Sequence, residues 1–143
     1  EGIQVNKKEA AHLFKMAADK GNVESMNSYA LMLSNDDGIQ VDKKEAARYF
    51  KLAADKGHSQ AMNSYAIMLK NGDGIQKNPK EAVRYYKMAI DKGNAFAMCN
   101  LGLMLENGTG IPVDKREAAR YYKMAADNGN SNGLKHYKNL TNT

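Results

Sequence analysis

Apolar residues along this chain fall into two alternating helical rhythms, separated by short runs of Gly, Asn and Asp. The first rhythm is a stripe. Ala46, Phe50, Ala53 and Ala54 stand at i, i+4, i+7 and i+8, with Arg48, Lys51 and Asp55 between them, so one face is buried and the other stays wet. The second is denser. Tyr65, Ala66, Ile67, Met68 and Leu69 run without a break, and a helix apolar on most sides must touch neighbours on most sides. We term the striped segments B helices and the dense ones A helices.

Boundary residues support both. Before each B helix an Asn or Asp precedes a Glu by three places: Asn6 and Glu9, Asp42 and Glu45, Asn78 and Glu81, Asp114 and Glu117. That is capping-box spacing, in which the first side chain accepts an unpaired N–H of the first turn and the Glu reaches back. Pro79 adds the residue that suits a first helical position. Gly21, Gly57, Gly93 and Gly129 end the B helices, because glycine takes the left-handed C′ conformation without a Cβ penalty. Asn22, Asn94 and Asn130 then cap the A helices; His58 breaks that series, and Ser59 is expected to substitute. The A helices stop at Asn71-Gly72-Asp73-Gly74 and Asn107-Gly108-Thr109-Gly110. In the first copy, Asn35-Asp36-Asp37-Gly38, a left-handed Asp36 would cost about 1 kcal/mol relative to Gly.

The A and B rhythms repeat with a period of 36. Residues 2–37 and 38–73 agree at 25 of 36 positions, and Gly2-Ile3-Gln4, Gly38-Ile39-Gln40, Gly74-Ile75-Gln76 and Gly110-Ile111-Pro112 mark four copies. Fixed periods of this length belong to stacked arrays, in which each hairpin buries its apolar face against its neighbours. The expected fold is all-α: a right-handed α-solenoid of about eight antiparallel helices, with A helices on the inner surface and B helices on the outer. A lone helix over 6–21 precedes repeats at about 23–58, 59–94 and 95–130, and a helix over 131–141 caps the array.

Composition narrows the function classes. The chain has 143 residues, a formal charge of +5, 26% charged residues and one cysteine. Lys and Arg alternate with Asp and Glu, as in Asp42-Lys43-Lys44-Glu45, which reads as a solvated face rather than a nucleic-acid stripe. No apolar run approaches the ~20 residues that span a bilayer. Cys99 alone cannot form an internal disulfide, and nothing at the start resembles a signal peptide; both lean toward a reducing, cytoplasmic compartment. Asn107-Gly108-Thr109 and Asn139-Leu140-Thr141 match the glycosylation spacing by coincidence in an asparagine-rich chain.

Catalysis needs convergent groups, and none is visible. His12, His58 and His136 do not recur between copies and lack a neighbouring Cys or acid at metal-ligand spacing. Ser28 and Ser64 sit within A helices without a base. The pairs Gly72/Gly74 and Gly108/Gly110 lack the Gly-Lys-Ser/Thr of a phosphate loop and follow helices, so they read as terminators. Leu33 excludes a calcium loop at Asn35-Asp36-Asp37. Met26, Met32, Met62, Met68, Met98 and Met104 recur two per A helix, as core positions do. We expect no enzyme activity, no cofactor and no metal.

The run Ala97-Met98-Cys99-Asn100-Leu101-Gly102-Leu103-Met104-Leu105, then Asn107-Gly108-Thr109-Gly110-Ile111, then Glu117-Ala118-Ala119-Arg120-Tyr121-Tyr122-Lys123-Met124-Ala125-Ala126 and Gly129-Asn130, resembles the Sel1-like repeat, a subclass of tetratricopeptide-like repeats. The resemblance extends over essentially the whole chain. It implies a scaffold or adaptor that assembles protein complexes by binding a partner protein or peptide, with no specific nucleic acid. One bacterial branch carries a disulfide in each repeat and affinity for penicillin-like compounds; with Cys99 alone, this chain does not fit it.

By analogy with tetratricopeptide-like folds, a ligand would lie on the inner face. Register places Glu24, Asn27, Leu31 and Ser34 there in the first repeat, Gln60, Asn63, Ile67 and Lys70 in the second, and Phe96, Cys99, Leu103 and Glu106 in the third. Asn132, Lys135 and Asn139 follow in the capping helix. Asn27 and Asn63 would pair with a peptide backbone through amides that both donate and accept, beside an apolar strip of Leu31, Ile67 and Leu103. The alternative is a structural or oligomerising spacer arm serving a catalytic or membrane domain elsewhere. A further alternative is salt-sensitive binding of anionic surfaces through outer Lys and Arg. The ends differ: Ser131 to Asn142 is polar, whereas Leu13, Phe14 and Ala17 expect a preceding A helix. Either an upstream repeat or another molecule, a second copy included, is expected to cover that edge.

Overall fold

The computed structural model describes residues 2–142, and its elements among those residues are eight α-helices without a strand. They are α1 (Gly2–Asp19), α2 (Val23–Ser34), α3 (Lys43–Asp55), α4 (Ser59–Asn71), α5 (Pro79–Asp91), α6 (Ala95–Asn107), α7 (Lys115–Asp127) and α8 (Ser131–Thr141). Odd-numbered helices are B helices and even-numbered ones A helices. Each packs on its sequence neighbours, so the chain is a one-dimensional stack.

The stripe and the dense run bury as their rhythms require. Ala46, Phe50, Ala53 and Ala54 are buried in α3, and all six recurring methionines are buried in α2, α4 and α6. One continuous core runs from Ala18 to Tyr121. A second, smaller cluster of Met98, Cys99, Ala118, Tyr122 and Ala125 fills the far end. α6 also touches α8 directly, an approach that no pair of B helices matches among the described residues.

The turns follow the boundary residues. Gly57 has φ +99°, with its N–H on the Ala54 carbonyl and the His58 N–H on that of Ala53, the paired bonds of a Schellman motif. Asp36 is left-handed at φ 53°. At Gly38, Gly74 and Gly110 a second constraint acts: a Cβ would lie 2.5 Å from the Lys7 Cβ, 2.5 Å from the Lys43 Cβ and 2.3 Å from the Pro79 Cγ, so each loop lies flush on the preceding B helix.

Three boundary expectations are corrected. The capping boxes form only in half. Asp42, Asn78 and Asp114 accept from the N–H of Glu45, Glu81 and Glu117, but those glutamates turn to Arg48, Arg84 and Arg120. The N–H of each cap residue goes instead to Leu33, Leu69 or Leu105 of the preceding A helix. Asn6 is no cap at all, because α1 already begins at Gly2. Ser59 does not replace His58 either: His58 is itself the cap of α4, its Nδ1 accepting from the Ala61 N–H at 3.2 Å. A neutral imidazole offers the acceptor that Asn offers elsewhere.

Candidate interaction face

The residues expected on the inner face lie on α2, α4, α6 and α8, and the structure divides them into engaged and open groups. Asn27 is engaged. It is only 2% exposed, and its Nδ2 donates to the Gln60 Oε1 at 3.4 Å, while its Oδ1 is buried with no partner. Asn63 is half-buried and its Oδ1 accepts from the Asn100 Nδ2 at 3.1 Å. Glu24 reaches across to the His58 Nε2 at 3.0 Å. The same polar seam continues where the Asn94 Nδ2 donates to the Ser59 Oγ at 3.0 Å. These bonds tie adjacent A helices to each other and set their spacing.

The open group is more apolar. Leu31 is 39% exposed and Phe96 67% exposed, whereas the other large apolar residues of α2, α4 and α6 are buried or half-buried. Leu31 and Ile67 line a depression of about 200 Å³ between α2 and α4, with Phe50 and Met68 in its wall and Ser34, Ser64, Lys43 and Asp73 at its polar side. Leu103 is half-buried against the second cluster, Lys70 is half-buried, and Gln60, Lys135, Asn132 and Asn139 are exposed.

Two register positions face inward without being free. Cys99 is buried in the second cluster, and burial raises its thiol pKa, so it is an inert core residue. Glu106 accepts from the Tyr122 hydroxyl at 2.6 Å; burial and that bond raise the phenol pKa. One repeat earlier, Lys70 holds the register position of Glu106, and the buried Tyr86 hydroxyl has no partner. Burial raises the Tyr86 phenol pKa also.

Sequence reasoning missed the roles of His58, Asn94, Asn100 and Gln60 in the polar seam. Their one available signal was position: each lies 33 to 37 residues from its partner, close to one period. His12 is exposed and His136 stacks on the Tyr122 ring at 5.1 Å; no group of three potential ligands occurs among the described residues. No described helix is long and apolar enough to cross a membrane.

Stacked A and B helices with caps and glycines at a constant period define a short-repeat α-solenoid. The family model for the Sel1 repeat matches residues 1–22, 23–58, 59–94 and 95–130, and the chain belongs to the Sel1 repeat family. Sel1 repeat proteins are non-catalytic repeat scaffolds for protein–protein interaction. No curated protein sequence matches the chain. Among solved structures it is similar to a Sel1 repeat protein from Oxalobacter formigenes, at 27% identity and a TM-score of 0.87, over 93% of this chain and 54% of that one. It is similar also to a protective antigen of uropathogenic Escherichia coli with an SLR fold, at 25% identity and a TM-score of 0.84, over 91% of this chain and 28% of that one. Helicobacter pylori cysteine rich protein B shares the fold at 17% identity and a TM-score of 0.72, over 92% of this chain and 94% of that one. The chain thus spans 28% and 54% of the first two neighbours.

Proposed function

We propose that this chain is an adaptor whose inner face takes a segment of a partner protein or peptide across α2, α4, α6 and α8. The observation that carries the reading is the exposure of Leu31 and Phe96 on a row of helices that buries nearly all its other apolar residues. Leu31, Ile67 and Leu103 supply an apolar strip one repeat apart, and Phe96 supplies an aromatic anchor. Glu24, Gln60, Lys70 and Lys135 form the polar rim. Asn27 and Asn63 act by spacing the helices, since the Asn27 Nδ2 and the Asn63 Oδ1 are already paired across the seam. On the outer row, Arg48, Arg84 and Arg120 each fold back on a Glu one turn away and lie 4.4, 4.6 and 4.5 Å over the Tyr49, Tyr85 and Tyr121 rings, which engages part of their hydrogen-bonding capacity within the helix.

Affinity purification with the wild-type chain and three variants tests the reading. A partner retained by wild type and by the outer-face Arg84→Ala is expected to be lost with Phe96→Ala and with Leu103→Asp. Truncating a buried aromatic anchor typically costs about 2 kcal/mol or more of binding. Equal recovery with all three variants would overturn the inner-face assignment.

A further inference from the structure

Each hairpin junction buries one aromatic ring from the B row, and the A-row residue assigned to that ring changes from repeat to repeat. Phe50, Tyr86 and Tyr122 hold one place in successive B helices. Ser34, Lys70 and Glu106 hold one place in the A helices before them. The third pair shows how the two places are related, since the Tyr122 hydroxyl donates to the Glu106 Oε1 at 2.6 Å. The first pair has nothing to satisfy: Phe50 carries no hydroxyl, and the Ser34 Oγ donates within its own helix to the Leu31 carbonyl at 3.1 Å. The second pair is mismatched. The Tyr86 hydroxyl is buried without a partner, and the acceptor's place is held by a lysine, whose ammonium only donates. Lys70 has no ion pair or side-chain hydrogen bond among the described residues.

A buried donor left unpaired is costly. A phenol and an ammonium at the places of a bonded phenol and carboxylate lack the same thing, an anionic acceptor. We propose that Tyr86 and Lys70 form a subsite for the carboxylate of a Glu side chain in the partner segment, at the α4–α5 junction of the inner face. The subsite rests on the inner-face reading above and adds the partner's chemistry to it.

The third junction supplies the precedent for access. Tyr122 is as deeply buried as Tyr86, both 0% exposed, yet a half-buried carboxylate of the A row reaches its hydroxyl. Lys70 is half-buried as well, on a flexible four-carbon stem that can swing aside and keep its ammonium on the incoming charge. Burial raises the Tyr86 phenol pKa, so the group stays a donor at neutral pH. The neighbouring junctions make the charge preference local. At the first, the depression beside Phe50 is lined by Leu31 and Ile67 and suits an aliphatic side chain. At the third, Glu106 already fills the place. A segment lying along the array toward α8 therefore presents an aliphatic residue first and an acid second.

N-acetyl-glutamate N-methylamide, titrated into the isotope-labelled chain and followed by NMR, tests the subsite without a partner protein. Expected is saturable binding with shifts centred on Lys70, Tyr86 and Leu103, about tenfold tighter than that of the glutamine analogue. Tyr86→Phe and Lys70→Met should each weaken it by about tenfold. Lys70→Glu should set a carboxylate on the phenol from within the chain: it should abolish binding and raise Tm, and adding Tyr86→Phe should cancel the rise. Equal binding of the glutamine analogue or of inorganic phosphate, unchanged affinity in Tyr86→Phe, or binding retained by Lys70→Glu would overturn the subsite. Each outcome is separable from the inner-face reading, which is decided by recovery of a partner protein with Phe96→Ala.

Discussion

The two halves of the solenoid share a backbone plan and are held together differently. In the N-terminal half, polar groups reach across each junction. Tyr49 and Tyr85 donate to Asp19 and Asp55 at 2.6 and 2.8 Å, each aspartate also pairs with Lys15 or Lys51, and Lys7 and Lys43 bridge to Asp37 and Asp73. In the C-terminal half the same positions hold other chemistry. Tyr121 makes no bond to Asp91, Pro79 and Thr109 replace the second lysine–aspartate bridge, and Leu101 stands where Tyr29 and Tyr65 present rings. That half is held by close apolar packing, Gly102 against the Tyr122 ring and Gly133 against Ala125, together with the hydrogen bond from the Tyr122 hydroxyl to Glu106 within the last repeat. One repeat period can thus be closed by hydrogen bonds or by contact, provided the backbone spacing is kept.

The contrast can be broken most forcefully at Tyr122. Tyr122→Ala removes the ring that Gly102 and His136 pack on, and a loss of about 3–5 kcal/mol is expected in chemical denaturation. Amide exchange should show the loss confined to α6–α8. Next in size are the paired buried phenols. Tyr122→Phe leaves Glu106 without its donor and should cost about 1–3 kcal/mol, whereas Tyr86→Phe removes an unpartnered hydroxyl and should be neutral or slightly stabilising. Equal costs would show that the two sites are not as different as their partners suggest.

A third pair compares the junctions themselves. Tyr85→Phe should cost about 1 kcal/mol by loss of its bond to Asp55, and Tyr121→Phe less than about 0.5 kcal/mol. The smallest effect is the pH response of the N-terminal half. Hydrogen bonds from Tyr49 and then Lys15 hold the Asp19 carboxyl below its ordinary pKa. At Asp55 burial raises the pKa, but the bonds from Lys51 and Tyr85 outweigh it and leave it lowered. Carboxyls with lowered folded pKa values stabilise the fold above their unfolded value of about 3.9, and that contribution is lost as pH falls through the lowered values. Amide protection in α1–α3 should therefore weaken below about pH 4 before that in α7, and Asp19→Asn with Asp55→Asn should flatten the difference.

How much of this was legible in the sequence depended on whether a residue's partner lay one helical turn or one repeat away. The period, the helix ends at Gly57 and Gly72, the left-handed Asp36 and the buried methionines all follow from local spacing, and the structure shows each. The failures involve a distant competitor. Glu45 does not complete its capping box because Arg48 offers a bidentate partner and Leu33, on another helix, takes the cap N–H. Asn27 is not open because Gln60, 33 residues on, lies over it. His58 caps a helix that an Asn caps elsewhere, an exchange visible only once the Nδ1 is placed against Ala61. For the inner face, register named the positions; exposure, which separates Leu31 and Phe96 from Cys99, needed the neighbouring helices.

Among the described residues, the side-chain hydrogen bonds between neighbouring repeats span about one period, from 30 residues for Lys7 and Asp37 to 37 for Asn100 and Asn63. Folding therefore asks the chain to close only short loops, which favours rapid nucleation at any hairpin and outward growth from it. Force applied to one terminus should peel the array hairpin by hairpin instead of shattering it. For the same reason a duplicated block of 36 residues finds every contact it needs in its immediate neighbours, so such a gene can lengthen without redesigning its interior.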